Sequence, residues 1–185
     1  MMTELSLNIL DVAENSTKGR RRTGPYYRGC RFFIRPSDHL NLRRRMRNDE
    51  RTGGAGNGSF FTSRTTRKVG LGVPFFKYAA ESAGGSFTIA SVPGKGTDVT
   101  ATFVLSHIDR MPLGDISSTI HTLIVYHPDT DFVYTYRYNK SHFTLDTRQF
   151  REILGDLPFD SPEISTYIME YLTENKLETD GGAWY

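Results

Sequence analysis

An acid and an amide, spaced one helical turn apart, are the first residues of this sequence whose types could do chemistry. Asp11 and Asn15 lie four residues apart in the segment DVAENSTK. Side chains at positions i and i+4 of a helix share a face, so the carboxylate can orient a water while the amide oxygen holds a hard cation. The polar face of an ordinary surface helix also contains such pairs.

A second group of residues could bind phosphate. The segment TSRTTRKVGLG includes Lys68 and ends with Gly70, Leu71 and Gly72, directly before a helical pattern. Unpaired N–H groups and the dipole at the start of a helix favour phosphate. Glycines let the backbone approach it closely. A tight turn would have the same spacing.

The elements that must position these groups are predicted from the hydrophobic period. Residues 3–18 form an amphipathic helix, and residues 73–83 form a second helix that the pair Gly84-Gly85 ends. Residues 86–105 alternate apolar and polar side chains around GKGT, residues 94–97, which predicts a hairpin. By itself, GKGT is no more than a hairpin turn.

The rest of the chain predicts a mixed α and β region. A helix begins after its N-cap Asp115, residues 131–146 form a second hairpin, and two further helices follow, the last capped by Ser161 with Pro162 in its first turn. The tail from Glu178 is predicted to fray. The aromatic residues of the second hairpin could dock a partner, but packing against the adjoining helix is commoner. They are Phe132, Tyr134, Tyr136, Tyr138 and Phe143.

Composition excludes several classes of protein. Of the 185 residues, 37% are apolar and 24% charged, as in an ordinary globular protein. No stretch reaches the roughly 20 apolar residues that span a bilayer, so we expect no membrane segment. The single cysteine, Cys30, excludes an internal disulfide framework, and we therefore expect a cytoplasmic protein.

Charge is divided unevenly along the chain. Residues 18–51 hold twelve basic and three acidic residues, a net charge of +9, and the remainder of the chain carries −7. The chain is therefore an acidic globule with one basic insert, although its overall net charge is +2.

Taken in order, the three motifs resemble the GHKL ATPase superfamily, the ATP-binding fold of sensor histidine kinases, type II topoisomerases, MutL mismatch-repair proteins and anti-sigma-factor kinases. DVAENSTK, residues 11–18, is similar to the N-box of that family. KVGLGVPFFKYAAESAGGSFTIAS, residues 68–91, is similar to its glycine-rich lid and helix, and PGKGTDVTATF, residues 93–103, to its closing element. The resemblance covers residues 1–18 and about 60–105.

This resemblance implies an α/β fold, a two-layer α/β sandwich of GHKL (Bergerat) type with a mixed sheet, over residues 1–105. Residues 106–185 would form an α+β extension. It also implies bound ATP and Mg²⁺, with Asn15 as metal ligand and Asp11 in the place of the water-activating acid, usually Glu. Lys68, Gly70, Leu71 and Gly72 would lie against the triphosphate, and Thr97 near the adenine. Glu4-x-x-x-Asn8 offers a second register for the N-box, but ENSTK fits the consensus better.

The region between the flanks lacks a motif that the family needs. After the N-box helix the family has two strands and then D-x-G-x-G, whose aspartate binds adenine. Residues 19–58 contain no such motif and show no sustained hydrophobic period. Permitted codons for residues 44–59, translated one nucleotide later, give D-G-C-G-M-T-N-E, an aspartate followed by two alternate glycines, which we interpret as the missing motif. The same shift gives two alternating strands over residues 23–44.

We therefore interpret residues 19–58 as misread in the wrong frame, or disordered. This interpretation predicts a sheet without its two inner strands and a chain that binds ATP poorly or not at all. A rival interpretation is a basic arm that binds nucleic acid, with Tyr26, Tyr27 and Phe32 as stacking residues. No nucleic-acid fold surrounds it, so we do not expect that partner.

The expected function follows from the resemblance. The N-box lies too close to the N-terminus for a phospho-acceptor helical hairpin to precede it, so the chain is most similar to free-standing bacterial proteins of the histidine-kinase-like ATPase family. These would act as a kinase or an ATP-dependent regulator on a separate protein partner. The alternative is a non-catalytic interaction protein with a vestigial nucleotide site, because Asp11 is shorter than the usual Glu.

Overall fold

The computed structural model describes residues 3–17, 29–35, 39–46, 72–92, 96–155 and 157–183. The helices within these ranges are α1 (Leu5–Thr17), α2 (Gly72–Ser82), α3 (Ile116–Tyr126), α4 (Thr147–Leu154) and α5 (Pro162–Asp180). The strands are β1 (Gly29–Arg35), β2 (His39–Met46), β3 (Ser86–Val92), β4 (Gly96–Val104), β5 (Asp131–Tyr138) and β6 (Ser141–Asp146).

The strands form one mixed sheet in the order β3-β4-β2-β1-β5-β6. Strands β1 and β5 are parallel, and the other neighbouring pairs are antiparallel. The prediction of an α/β fold with a mixed sheet is confirmed. Because β1 lies in the basic insert and β5 beyond residue 105, strand pairing connects the two predicted parts of the chain. The boundary at residue 105 stays a prediction.

The two inner strands are present, and our expectation that the sheet lacks them is wrong. Strands β1 and β2 form an antiparallel hairpin at the centre of the sheet. Cys30, Phe32 and Ile34 are buried, because alternate residues of a strand point to the same face. The residues as written therefore supply the middle of the sheet. The shifted adenine motif would begin at residue 44, within β2, and residues 47–58 lie outside the described residues.

Burial also weakens the nucleic-acid interpretation. Phe32 is 3% exposed and stacks on Phe132 with ring centroids 6.3 Å apart. A ring that is buried in this way is not free to stack on a base, so the expectation that Phe32 could do so is wrong. Tyr26 and Tyr27 lie outside the described residues.

The helices pack side by side on one face of the sheet. Helix α1 packs between α2 and α3, and α3 packs against α5. Helix α2 lies on β3 and β4, and α5 lies on β5 and β6. The opposite face carries hydroxyl pairs across neighbouring strands, with Oγ of Ser86 2.8 Å from Oγ1 of Thr102, and the Oγ1 atoms of Thr135 and Thr144 3.0 Å apart. The apolar core thus lies between the helices and one side of the sheet.

The predicted helix signals are mostly confirmed. The Asp115 carboxylate caps α3 by accepting from the Ser118 N–H at 2.9 Å. The pair Gly84-Gly85 ends α2, and a Cβ at Gly85 would lie 1.7 Å from the Thr102 carbonyl oxygen. Helix α5 begins at Pro162 as predicted, but Ser161 makes no side-chain capping bond in the described structure. That predicted contact is wrong.

The aromatic hairpin of the extension packs inward. Phe132, Tyr134, Tyr136 and Phe143 are buried, so they do not form a docking surface. Burial, and then the charge of Asp180, raise the pKa of Tyr134. Its hydroxyl has no hydrogen-bond partner among the described residues.

The end of the chain is held down at Asp180, so the prediction that it frays from Glu178 is wrong. The Asp180 carboxylate accepts from the Tyr136 hydroxyl and from Nζ of Lys176, each at 2.7 Å. It also accepts from the Gly182 N–H at 2.9 Å. These three donors satisfy a buried charge and fix the last turn of α5 to the sheet.

Candidate functional site

Strand register brings distant parts of the sequence to one end of the sheet. Met46, the last residue of β2, is paired with Cys30 in β1 and with Thr97 in β4. Gly29 is paired with Asp131, the first residue of β5. We call this end, at which Met46, Thr97 and Asp131 lie, the Thr97 end of the sheet.

Helix α2 begins near the Thr97 end. It ends at the opposite end of the sheet, where Ser86 of β3 is paired with Thr102 and the Gly85 N–H donates to the Ala80 carbonyl at 2.9 Å. Eleven residues of helix span about 16 Å. Because α2 runs antiparallel to β3 along this length, its first residue, Gly72, lies towards the Thr97 end.

The start of α1 is tied to the opposite end of the sheet. Its first N–H groups have no partner within the helix. The Leu5 N–H donates to the Pro112 carbonyl, and the Ser6 N–H donates to the Leu113 carbonyl, each at 2.9 Å. The segment that holds these two carbonyls follows β4, which ends away from Thr97.

The second half of α1 lies towards the Thr97 end. Oε1 of Glu14 is 2.7 Å from Nε2 of His127. His127 follows α3 directly and precedes β5, which starts at Asp131. The end of α1 that contains Asn15 is therefore at the same end of the sheet as Thr97 and the start of α2, and Asp11, the middle residue of α1, lies about one helical turn further from it.

The predicted site residues are thus partly brought together. Asp11 is half-buried, and its carboxylate makes no hydrogen bond or ion pair with another described residue. Asn15 lies in α1, but its side chain is outside what the structure describes. Gly72 is the buried first residue of α2, and Thr97 is half-buried in β4. The remaining residues fall outside the described ranges; they are Lys68, Gly70 and Leu71.

The second N-box register is disfavoured by burial. Asn8 is 1% exposed, and its Nδ2 donates to the Glu4 carbonyl at 3.2 Å. Its Oδ1 has no partner among the described residues. The Glu4 carboxylate accepts from the Ser6 hydroxyl at 3.0 Å and from the Asp115 N–H at 3.4 Å. An amide buried against its own helix is not presented to a ligand, which favours the register with Asp11 and Asn15.

Two acids near the Thr97 end are paired with arginines of α4. Asp131 bonds to Arg151, and Asp146 bonds to Arg148. The hydrogen bond from Arg148 lowers the pKa of Asp146 below its usual range. The Glu14–His127 pair was not predicted. The two residues are 113 positions apart, so no local spacing could have indicated it.

Metal-binding groups, membrane-spanning helices and known relatives were also sought. Among the described residues, no group of three or more His, Cys, Asp or Glu could hold a metal ion. None of the described helices is long and apolar enough to cross a membrane. A scan against protein-family models found no match to the chain, and a search of curated proteins found none.

Proposed function

We propose that this protein binds Mg·ATP at the Thr97 end of the sheet, in a two-layer α/β sandwich of the GHKL type. It would act as a kinase or an ATP-dependent regulator on a separate protein partner. One observation carries the proposal. The end of α1 with Asn15, one helical turn after Asp11, the start of α2 at Gly72 and the start of β4 at Thr97 are distant in sequence and lie at the same end of the sheet.

The residues at this end fit the chemistry of a nucleotide. The first N–H groups and the dipole of α2 favour phosphate, and Lys68, Gly70 and Leu71 immediately precede that helix in the chain. Asn15 would hold Mg²⁺ through its amide oxygen, and Asp11 would orient the attacking water. Protein-bound Mg²⁺ keeps several waters and binds the phosphates directly, so one or two protein ligands suffice. Bound Mg²⁺ would neutralise charge on the phosphates.

Adenine recognition remains the weak point of the chain as written. The inner strands form, so the sheet itself gives no reason for poor binding. However, the sequence lacks D-x-G-x-G. The loss of that aspartate leaves the adenine amino group without its partner, at a cost of about 1–3 kcal/mol.

Calorimetric titration of Mg·ATP tests the proposal. It compares the chain as written with a frame-corrected chain, in which the shifted translation replaces residues 19–58, and with Asn15→Ala in the corrected chain. We expect the corrected chain to bind most tightly, and Asn15→Ala to remove the Mg²⁺ dependence of binding. The absence of nucleotide binding by the corrected chain would overturn the proposal. Equal binding by both chains would show that residues 19–58 as written supply the adenine contact.

The second candidate is a non-catalytic interaction protein that keeps a vestigial nucleotide site. The short carboxylate of Asp11, half-buried on α1, favours it because an aspartate reaches less far than the usual glutamate. Mg·ATP binding without hydrolysis or phosphoryl transfer by the corrected chain would support this candidate. The protein partner and a cytoplasmic location stay predictions under both.

A further inference from the structure

Helix α1, which carries Asp11 and Asn15, is held at both ends by residues that directly precede and follow α3. At its start, the carbonyls of Pro112 and Leu113 accept its first two N–H groups. Near its end, Glu14 meets His127, the residue that follows α3. The two helices therefore run side by side in the same direction, and the extension holds the end of α1 nearest the proposed site.

The Glu14–His127 contact is short and shielded from solvent. Nε2 of His127 lies 2.7 Å from Oε1 of Glu14, and the two side chains are 18% and 20% exposed. Glu14 directly precedes Asn15 and lies three residues after Asp11. A fixed Glu14 therefore restricts rotation and fraying of the same helical turn that carries both predicted ligand-facing residues.

His127 is itself held by a bonded turn. The Thr130 N–H donates to the His127 carbonyl at 3.0 Å. The Arg151 guanidinium bonds to the Pro128 carbonyl and to the Asp131 carboxylate, and it lies 5.3 Å from the centroid of the Phe159 ring. A continuous set of contacts thus runs from α4 through this turn to α1.

We propose that His127 is a positioning residue for the nucleotide site. It acts through Glu14 to fix the last turns of α1, so that Asp11 and Asn15 are pre-organised before Mg·ATP binds. This inference rests on the proposed function, and it assigns the extension a role in that function. Positioning shells of this kind are typically worth 10- to 100-fold in ligand affinity or activity.

The test compares His127→Ala with a matched control, His121→Ala. His121 lies on α3, six residues before His127, and its Nε2 is 2.9 Å from the Ser165 hydroxyl of α5, so its bond is to α5 and not to α1. Two measurements are made on the full chain: Mg·ATP titration, and amide hydrogen exchange of residues 13–17 without nucleotide. We expect His127→Ala to raise both the dissociation constant and the exchange rate about tenfold, and His121→Ala to change neither.

Two further variants separate positioning from a general loss of folding. His127→Gln keeps a hydrogen-bond donor and is expected to restore most of the affinity. Glu14→Ala combined with His127→Ala is expected to lose less affinity than the sum of the two single variants, because both remove the same Glu14–His127 contact. Additive losses in the double variant would overturn the inference.

The failure of this inference differs from the failure of the proposed function. Mg·ATP binding and exchange that are unchanged in His127→Ala would overturn the inference and leave the proposed function standing. No Mg·ATP binding by the parent chain or by the frame-corrected chain would overturn the proposed function. His127 would then be a residue that only fixes the end of α1, and the nucleotide part of the inference would fall as well.

Discussion

Four aspartates of the extension and Asp11 of helix α1 have different surroundings. In the extension, the carboxylates of four aspartates accept from donors of the same chain. These are Asp115, Asp131, Asp146 and Asp180. On α1, Asp11 is half-buried and has no such partner among the described residues. The contrast is with Asp11 alone, because Glu14 of the same helix is paired with His127.

The paired aspartates stabilise the fold, whereas we propose that Asp11 serves a ligand. A partly desolvated carboxylate without a donor gains nothing for folding and costs some free energy. The paired aspartates of the extension fix a helix end or a turn. Asp11 lies instead at the middle of α1, one helical turn before Asn15 and the proposed nucleotide site.

The largest expected effect is at Asp180. Asp180→Ala leaves the buried Tyr136 hydroxyl and the Lys176 ammonium without their acceptor, so we expect the free energy of unfolding to fall by about 3 kcal/mol. Urea unfolding followed by circular dichroism measures the change. Glu174→Ala, an exposed position on the same helix, is the control and should stay within about 0.5 kcal/mol of the parent chain. A loss of unfolding free energy in Asp180→Ala no larger than that in the control would show that this paired aspartate does not stabilise the fold.

A smaller, pH-dependent effect is expected at Asp146. Its carboxylate caps α4 by accepting from the Arg148 N–H at 3.0 Å, so Asp146→Ala should cost about 1 kcal/mol at pH 7. The folded-state pKa of Asp146 is lowered, chiefly by the side chain of Arg148. Its contribution is therefore complete above the unfolded pKa, about 4, and is lost as the pH falls through the lower folded value.

Unfolding free energies of the parent chain and Asp146→Ala, measured from pH 7 to pH 2, check this prediction. The difference between the two should shrink only below about pH 4. Asp146→Asn keeps a capping acceptor without a titrating charge, so it should stay close to the parent chain at pH 7 and lose less stability in acid. A difference that grows as the pH falls would contradict the assigned sign.

Local signals predicted most of the helices and both outer hairpins. The bounds of α1, α2 and α3 follow from the hydrophobic period, the glycine stop and the Asp115 cap, and each of these depends only on nearby residues. The order at the end of α5 was not predicted, because nothing in the local sequence distinguishes a buried Asp180 from a solvated one. Only the fold brings the Tyr136 hydroxyl to Asp180.

The inner strands were missed for a different reason. The sequences GCRFFIR and HLNLRRRM do alternate, but Phe33 and Arg44 interrupt short runs in which arginine is abundant. Their place at the centre of the sheet depends on the parallel pairing of β1 with β5, far along the chain, and no local period contains such a pairing. The motifs at Asp11, Gly72 and Thr97 could be read from order and resemblance, whereas the Glu14–His127 contact needed the fold.

The smallest expected change in stability is the sharpest test of the comparison. Asp11→Asn removes a charge that has no partner among the described residues, so the free energy of unfolding should change by less than about 0.5 kcal/mol. In the frame-corrected chain the same variant should keep Mg·ATP binding and lose at least about 100-fold in ATP hydrolysis, because a general base contributes that much. Chemical denaturation and a steady-state phosphate-release assay measure the two quantities. A loss of stability as large as that of Asp146→Ala, with hydrolysis unchanged, would place Asp11 among the structural acids. Asp11 would then have the same structural role as the aspartates of the extension, and the proposed nucleotide site would lose its proposed base.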